Sequence, residues 1–383
     1  MNLASESKLP DVGTTIFTVM SRLAGEQGAI NLSQGFPDFD GPPRLLERVN
    51  YYLTHGYNQY PPMQGVPALR EAICAKVEDL YAARLDADAE VTITSGATEA
   101  LFCAITAVVR PGDEVLLLDP AYDSYEPVVR LAGGVPVHVP LRPPTFDVDW
   151  DRVRDALTPK TRLLMINTPH NPTGAVWSAA DIEALRRLQA EQSFYLISDE
   201  VYEHMCFDGR AHLSLARYPD LFERSFVVSS FGKTYHTTGW KVGYCLAPPA
   251  LTDEFRKIHQ FNTFTTNTFV QHAIADFLVE APEHHKDLPA FYEAKRDLLC
   301  ELLAPSRFTF TPSAGTYFQL LDYSAISGEG DLDLCKRLTR EIKVASIPVS
   351  VFYERPPDDT FIRLCFAKDD ATIARAAEIL CQL

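Results

Sequence analysis

From about Pro43 to Pro282, short apolar runs alternate with longer segments of helical period, and nothing else in the chain constrains its fold so strongly. The apolar runs are Val91–Ser95, Glu114–Asp119, Pro136–Leu141, Arg162–Asn167, Phe194–Ser198, Ser225–Ser229 and Val242–Ala247. Helical periodicity falls at Pro67–Leu80, Thr98–Val109, Asp149–Leu157, Ala179–Ala190 and Leu251–Phe261. Continuous apolar strands are buried on both faces, so the alternation predicts an α/β fold: a doubly wound, mostly parallel sheet with helices on both sides. After Pro282 the pattern changes. A helix at Leu288–Leu303 precedes strands at Arg307–Thr311 and Thr316–Asp322. A helix at Leu332–Glu341, strands at Ala345–Val351 and Phe361–Ala367, and a last helix at Ala371–Leu383 follow. This reads as a smaller α+β unit. The first residues carry one helical pattern, Ile16–Leu23, and a turn-rich stretch, Ser33–Asp40. A length of 383 residues exceeds one compact core. The expected division is an arm over 1–42 that packs with the small unit, a large domain over 43–282 and a small domain over 283–383.

Charge narrows the function. Against 35 Lys and Arg stand 51 Asp and Glu, a net of −16, and such a field repels phosphate backbones and acidic membranes. Nucleic-acid and membrane partners are therefore not expected, although a local basic pocket for a small anion is compatible. The eight cysteines stand far apart without a C-x-x-C pair, so neither a metal site nor a disulfide framework is expected. Met1 to Val12 does not read as a secretory leader, and no apolar run approaches the ~18 residues of a membrane span. These features predict a soluble protein of the cytoplasm.

In open α/β sheets ligands bind where strands end, so the residues after each strand are the candidates. Ser95-Gly96-Ala97-Thr98-Glu99 is a small-residue turn into a helix, which suits a phosphate at the helix N-terminus and equally suits an ordinary N-cap. Asn167-Thr168-Pro169-His170-Asn171-Pro172-Thr173-Gly174 is a rigid turn that either aims Asn171 into a cleft or closes on itself as an Asx-turn. Asp199 and Tyr202 face one ligand if a helical turn begins after their strand; otherwise the acid is a cap. Lys233 lies in the apolar, hydroxyl-rich Ser229-Ser230-Phe231-Gly232-Lys233-Thr234, where desolvation turns an ammonium into a nucleophilic amine. Lys241, in Gly239-Trp240-Lys241-Val242-Gly243, adds a second cation, for a phosphate or for a salt bridge.

Taken together, the chain resembles the class I and II pyridoxal-phosphate aminotransferases of fold type I. Within them it is most similar to the branch of methionine aminotransferases and kynurenine–glutamine aminotransferases. The motifs are Gln34-Gly35-Phe36-Pro37-Asp38-Phe39, Asn58-Gln59-Tyr60, His170-Asn171-Pro172-Thr173-Gly174, Ser198-Asp199-Glu200-Val201-Tyr202 and Ser230-Phe231-Gly232-Lys233-Thr234. Their order and spacing extend the resemblance to Ile362-Arg363-Leu364. It implies transfer of an amino group from an L-amino acid to a 2-oxo acid in amino-acid metabolism, with pyridoxal 5′-phosphate as cofactor. Lys233 is implied as the Schiff-base lysine, Asp199 as the partner of the pyridine nitrogen, and Asn171 and Tyr202 as hydrogen-bond partners of the phenolic oxygen. Tyr122 is implied to stack on the ring, and Ala97, Thr98, Ser230 and Lys241 to hold the phosphate. Arg363 is implied to clamp the substrate α-carboxylate with help from Gly35 and Asn171. The resemblance also implies a homodimer in which Tyr60 and Phe264 complete the neighbour's site.

Dicarboxylate-selective relatives carry another arginine for the distal carboxylate, and no counterpart is assignable here. The pocket positions that carry over, Phe17, Tyr60, Tyr122 and Phe264, are aromatic, which predicts methionine or aromatic donors. Kynurenine-type relatives have tryptophan at the position of Phe17, and histidine where Thr265 follows Phe264. Two other readings compete: a carbon–sulfur β-lyase acting on cysteine conjugates, which shares Lys233, Asp199 and Arg363, and a non-catalytic regulatory protein on this scaffold.

Overall fold

The computed structural model describes residues 7–383, so residues 1–6 of the expected arm and of the leader reading lie outside the described residues. The arm contributes a helix, Ile16–Gln27, and strand β1, Ile30–Asn31. Seven strands then form the large sheet: β2 (Val91–Thr94), β3 (Glu114–Asp119), β4 (Val135–Pro140), β5 (Thr161–Asn167), β6 (Tyr195–Asp199), β7 (Ser225–Ser230) and β8 (Gly243–Leu246). Their order is β2-β8-β7-β6-β5-β3-β4, parallel from β7 to β4, with β8 antiparallel to both neighbours. The apolar runs alternate between two cores, as the pleat requires. Val115, Leu117, Leu163, Met165, Phe226 and Val228 face one layer, filled by the Gly96–Val108 helix. Leu116, Leu118, Leu164, Ile166 and Val227 face the other, filled by the helices Pro67–Tyr81, Ala179–Glu191 and Thr268–Glu280. Among the described residues no helix is long and apolar enough to cross a membrane.

The second unit has its own core. Strands β9 (Phe318–Asp322), β10 (Val344–Ala345), β11 (Ile347–Pro348) and β12 (Phe361–Cys365) complete the set. β12 lies between β11 and β9, and β1 pairs in parallel with β10. Met20 and Leu32 of the arm join the helices Glu283–Leu303 and Asp370–Leu380 in this core.

Several segments depart from the sequence reading. Arg307–Thr311 is not a strand. Only Thr309 bridges to Asp322, because the Gln319 side chain takes the Thr311 carbonyl (2.8 Å) and the Ser313 N–H (3.0 Å) that a ladder would have used. Ala345–Val351 is not one strand but β10 and β11, since the chain turns at Ser346 from pairing with β1 to pairing with β12. The helices Pro43–Thr54 and Thr268–Glu280 were not anticipated. They pack on each other beside the sheet.

Behind the sheet's carboxyl edge lies a buried polar knot. Glu203 accepts from Lys76 Nζ (2.8 Å), Tyr81 Oη, Ser229 Oγ and Tyr244 Oη (2.6 Å each), and Lys76 also donates to Tyr244 (2.6 Å). These contacts hold Glu203 well below the usual carboxylate range against the opposing effect of burial, which is the largest single influence on it. The knot anchors the turn after β6 from behind.

Candidate active site

The carboxyl ends of β2, β3, β5, β6 and β7 open onto one cavity of about 360 Å³. Its floor is set by β6. Asp199 ends that strand in a fully enclosed position, and its Oδ2 accepts from Tyr125 Oη at 2.7 Å while Oδ1 faces the Val201 N–H at 3.3 Å. Neither partner is a cation, and burial pushes its carboxyl up to about 6. Asn167, ending β5, ties the two strands by donating to the Asp199 carbonyl at 2.9 Å. Tyr202 is buried, its ring edge-on to Tyr317 at 5.2 Å.

Lys233 lies on the single-turn helix Phe231–Thr234, whose N-cap Ser230 accepts from Gly232 N–H. Lys233 Nζ donates to the Gly35 carbonyl at 2.9 Å and lies 5.8 Å and 5.4 Å from the rings of Tyr202 and Tyr317. Burial, reinforced by the cations of Arg363 and Lys241, draws its ammonium down to about 8 from the ordinary 10.5. Tyr317 donates to the same Gly35 carbonyl at 2.5 Å.

Arg363, on β12, is 0% exposed. Its guanidinium stacks 3.8 Å from the Phe318 ring centroid and 5.2 Å from Phe17. It donates to Asn171 Oδ1 (2.7 Å) and the Ser33 carbonyl (2.9 Å), and its Nε is buried without a partner among the described residues. Tyr122 stands between Phe17 (6.4 Å) and Tyr125 (5.6 Å), and burial raises its phenol to about 12.

At the other end of the cavity the chain is stripped to backbone. A Cβ on Gly243 would meet the Ser229 carbonyl at 2.7 Å and the Ala97 nitrogen at 2.9 Å. Gly96 has φ +77°, and a Cβ there would press on the Lys241 side chain at 3.3 Å. The bare turn at Ala97 and Thr98, with Ser230 and Lys241 beside it, is a cradle for an anion.

Phe17, Gly35, Ala97, Thr98, Tyr122, Asn171, Asp199, Tyr202, Ser230, Lys233, Lys241 and Arg363 therefore line one cavity. Tyr60 and Phe264 do not line it. They stand outside, 85% and 42% exposed, with their rings edge to face at 5.8 Å. Sequence reasoning gave no role to Tyr125, Asn167, Thr15, Gln34, Phe318 or Tyr317, although Asn167 and Gln34 stand inside the motifs quoted above. Tyr125 also had a signal, three residues after Tyr122 and thus on the same side of a helical turn. The cavity fits the implied cofactor: an amine of depressed pKa for an aldehyde, an enclosed carboxylate lacking a cation for a pyridine N–H, and a stripped cradle for a phosphate. The free Nε of Arg363 fits a carboxylate oxygen of the substrate.

The family model "Aminotransferase class I and II" matches residues 27–380. A methionine aminotransferase of Escherichia coli (strain K12) is 54% identical over 100% of this chain and 99% of its own. The crystal structure of an Escherichia coli methionine aminotransferase covers 100% of both chains at a TM-score of 0.97. A probable N-succinyldiaminopimelate aminotransferase of Mycobacterium tuberculosis is 39% identical over 97% of this chain and 96% of its own. The human kynurenine–oxoglutarate transaminase 3 is 32% identical over 99% of this chain and 90% of its own. With matches of this length, and a cavity whose donors and acceptors suit the cofactor, the chain belongs to the class I and II aminotransferases and is a pyridoxal-phosphate-dependent aminotransferase.

Proposed function

We propose that this aminotransferase takes apolar L-amino acids, methionine or aromatic ones, as donors and passes the amino group to a 2-oxo acid. The observation that carries this reading is the aromatic enclosure of Arg363 between Phe17 and Phe318. Of the cations lining the cavity, Lys233 would serve the cofactor's aldehyde and Lys241 its phosphate, which leaves Arg363 for a single carboxylate. Near that wall stands a negative charge rather than a positive one. Asp123 is half-buried, accepts from Thr15 Oγ1 at 2.5 Å, and is raised by burial while Arg363 opposes the rise. A second substrate carboxylate would meet rings and an anion. A thioether or phenyl group would meet the same rings favourably, gaining roughly 1.5–3 kcal/mol on burial. The name of the Escherichia coli relative supports the same choice.

Bound pyridoxal phosphate supplies an aldehyde that captures the substrate amine and a ring that takes up the electron pair released at Cα. Lys233 would hold the aldehyde at rest and, once displaced, take the proton from Cα. Asp199 would hold the proton on the ring nitrogen, and the Tyr125 hydroxyl would keep that carboxylate oriented. Asn171 and Tyr202 would bind the phenolic oxygen, and Tyr122 would cover the ring face. Ala97, Thr98, Ser230 and Lys241 would hold the phosphate. Arg363, with Asn171 and Gly35, would bind the α-carboxylate and aim the Cα–H bond at Lys233. The working parts would be the arm 1–42, a large domain 43–282 and a small domain 283–383, assembled as a cytoplasmic homodimer whose Tyr60 and Phe264 reach the neighbour's site.

The test is kcat/KM for methionine, phenylalanine, aspartate and glutamate with one common 2-oxo acid. Methionine or phenylalanine should exceed both acidic donors at least ~10-fold, since an unpaired buried charge costs several kcal/mol. A preference for aspartate would overturn the reading.

A further inference from the structure

Beneath the phosphate cradle lies a buried trio whose chemistry the reaction does not use: Glu99, Cys103 and His259. Their ligand-type atoms all lie within 4.8 Å of one another, which suggests a metal triad. The distances point elsewhere. Glu99 Oε1 is 2.9 Å from both His259 Nδ1 and Cys103 Sγ. Those are hydrogen-bond lengths, tighter than the ~3.3–3.8 Å between ligands of a tetrahedral zinc with bonds of ~2.0–2.3 Å.

The partners define how the ring is held. His259 is 0% exposed, with Nδ1 on the Glu99 carboxylate and Nε2 on the Met63 carbonyl at 3.1 Å. Both are acceptors, so each ring nitrogen is placed to donate, the hydrogen-bonding arrangement of an imidazolium. Glu99 in turn receives the Cys103 thiol and, at 3.1 Å on Oε2, the Ser95 N–H. Burial works against its charge, yet these contacts hold it below the usual carboxylate value.

Ser95 is the N-cap of the Gly96–Val108 helix, and Glu99 is the acid of its first turn. An anion thus sits beside the backbone amides that would receive a phosphate, where an uncompensated carboxylate would repel that phosphate. We propose that His259 is a positioning residue for the cofactor phosphate: its imidazolium cancels the Glu99 charge, so that Glu99 can brace the Ser95–Gly96 turn without repelling the dianion. The same ring holds Met63, three residues beyond Tyr60, so one ion pair joins the cradle to the segment that carries Tyr60. The proposal rests on the reading of Ala97, Thr98, Ser230 and Lys241 as the phosphate seat.

The experiment titrates apoenzyme with pyridoxal phosphate and with pyridoxal, which lacks the phosphate, and compares the ratio of the two dissociation constants. His259→Gln leaves Glu99 unneutralised and should reduce the preference for the phosphorylated form by about tenfold, with pyridoxal affinity nearly unchanged. Glu99→Gln keeps an acceptor for Ser95 and removes the charge, so its preference should equal or exceed that of the wild type. The double variant should regain most of what His259→Gln loses. Equal weakening of both ligands in His259→Gln would mean a packing role and overturn the proposal, as would a tenfold loss of preference in Glu99→Gln. Lys241→Met separates the two readings. If it loses the preference while His259→Gln keeps it, the seat stands and the role of the ion pair falls; if both keep it, the seat falls as well.

Discussion

Lys233 and Asp199 share one cavity, and removal from water acts on them with different chemical results: it frees the amine of its proton and makes the carboxyl hold one longer. For the amine the sign is direct. Only its neutral form attacks an aldehyde, and that form dominates above about 8 rather than above 10.5. Covalent capture of pyridoxal phosphate by the apoenzyme, followed by borohydride reduction and mass measurement, should therefore rise with pH and level off above about 8. Lys233→Ala should show no such adduct in the cavity and no turnover, and an adduct that persists would mean another lysine is used. Asp199→Asn should still bind the cofactor but lose on the order of 10²–10⁴ in kcat, because a neutral amide holds a ring proton far more weakly. A near-normal kcat would remove Asp199 from this role. Asn171, Asp199, Ser230 and Lys233 were legible because each follows an apolar run. Tyr125 was harder to see, since nothing in the sequence says that its hydroxyl turns back to a carboxylate 74 positions away.

At the scale of elements, the cavity is made by strand ends approaching turns more closely than side chains allow. Gly243 begins β8 against the Gly96 turn, and Gly243→Ala would force a Cβ into the Ser229 carbonyl and the Ala97 nitrogen. Both obstacles are backbone, so β8 or the turn must move. We expect a loss of about 1–3 kcal/mol in urea unfolding together with weaker cofactor binding. Unchanged unfolding would show that the junction is slack. The buried strands were readable within about a residue at each end because a strand buried on both faces has no polar interruption. Arg307–Thr311 misled because its alternation is sound, and only the Gln319 side chain, invisible to a local pattern, takes its ladder partners. The Thr268–Glu280 helix went unread although Val270, Ala273, Ile274, Phe277 and Leu278 recur at helical spacing.

At the scale of the whole molecule, two exposed rings stand together outside the cavity. Tyr60 and Phe264 are 85% and 42% exposed and pack edge to face. If this face meets a second copy, sedimentation should find active enzyme only as a dimer, and Tyr60→Phe should weaken cofactor binding while leaving the dimer intact. A fully active monomer would remove Tyr60 and Phe264 from the site. The knot of Lys76, Glu203 and Tyr244 has a consequence of a different kind. Losing one member strands the others' charge out of water at a cost of about 3–5 kcal/mol, whereas replacing the set with apolar groups of equal volume costs little. These three positions, on separate elements, can therefore change over evolutionary time only in concert. A catalogue of diverged sequences should show them varying as a block, with positions 76 and 203 never altered singly.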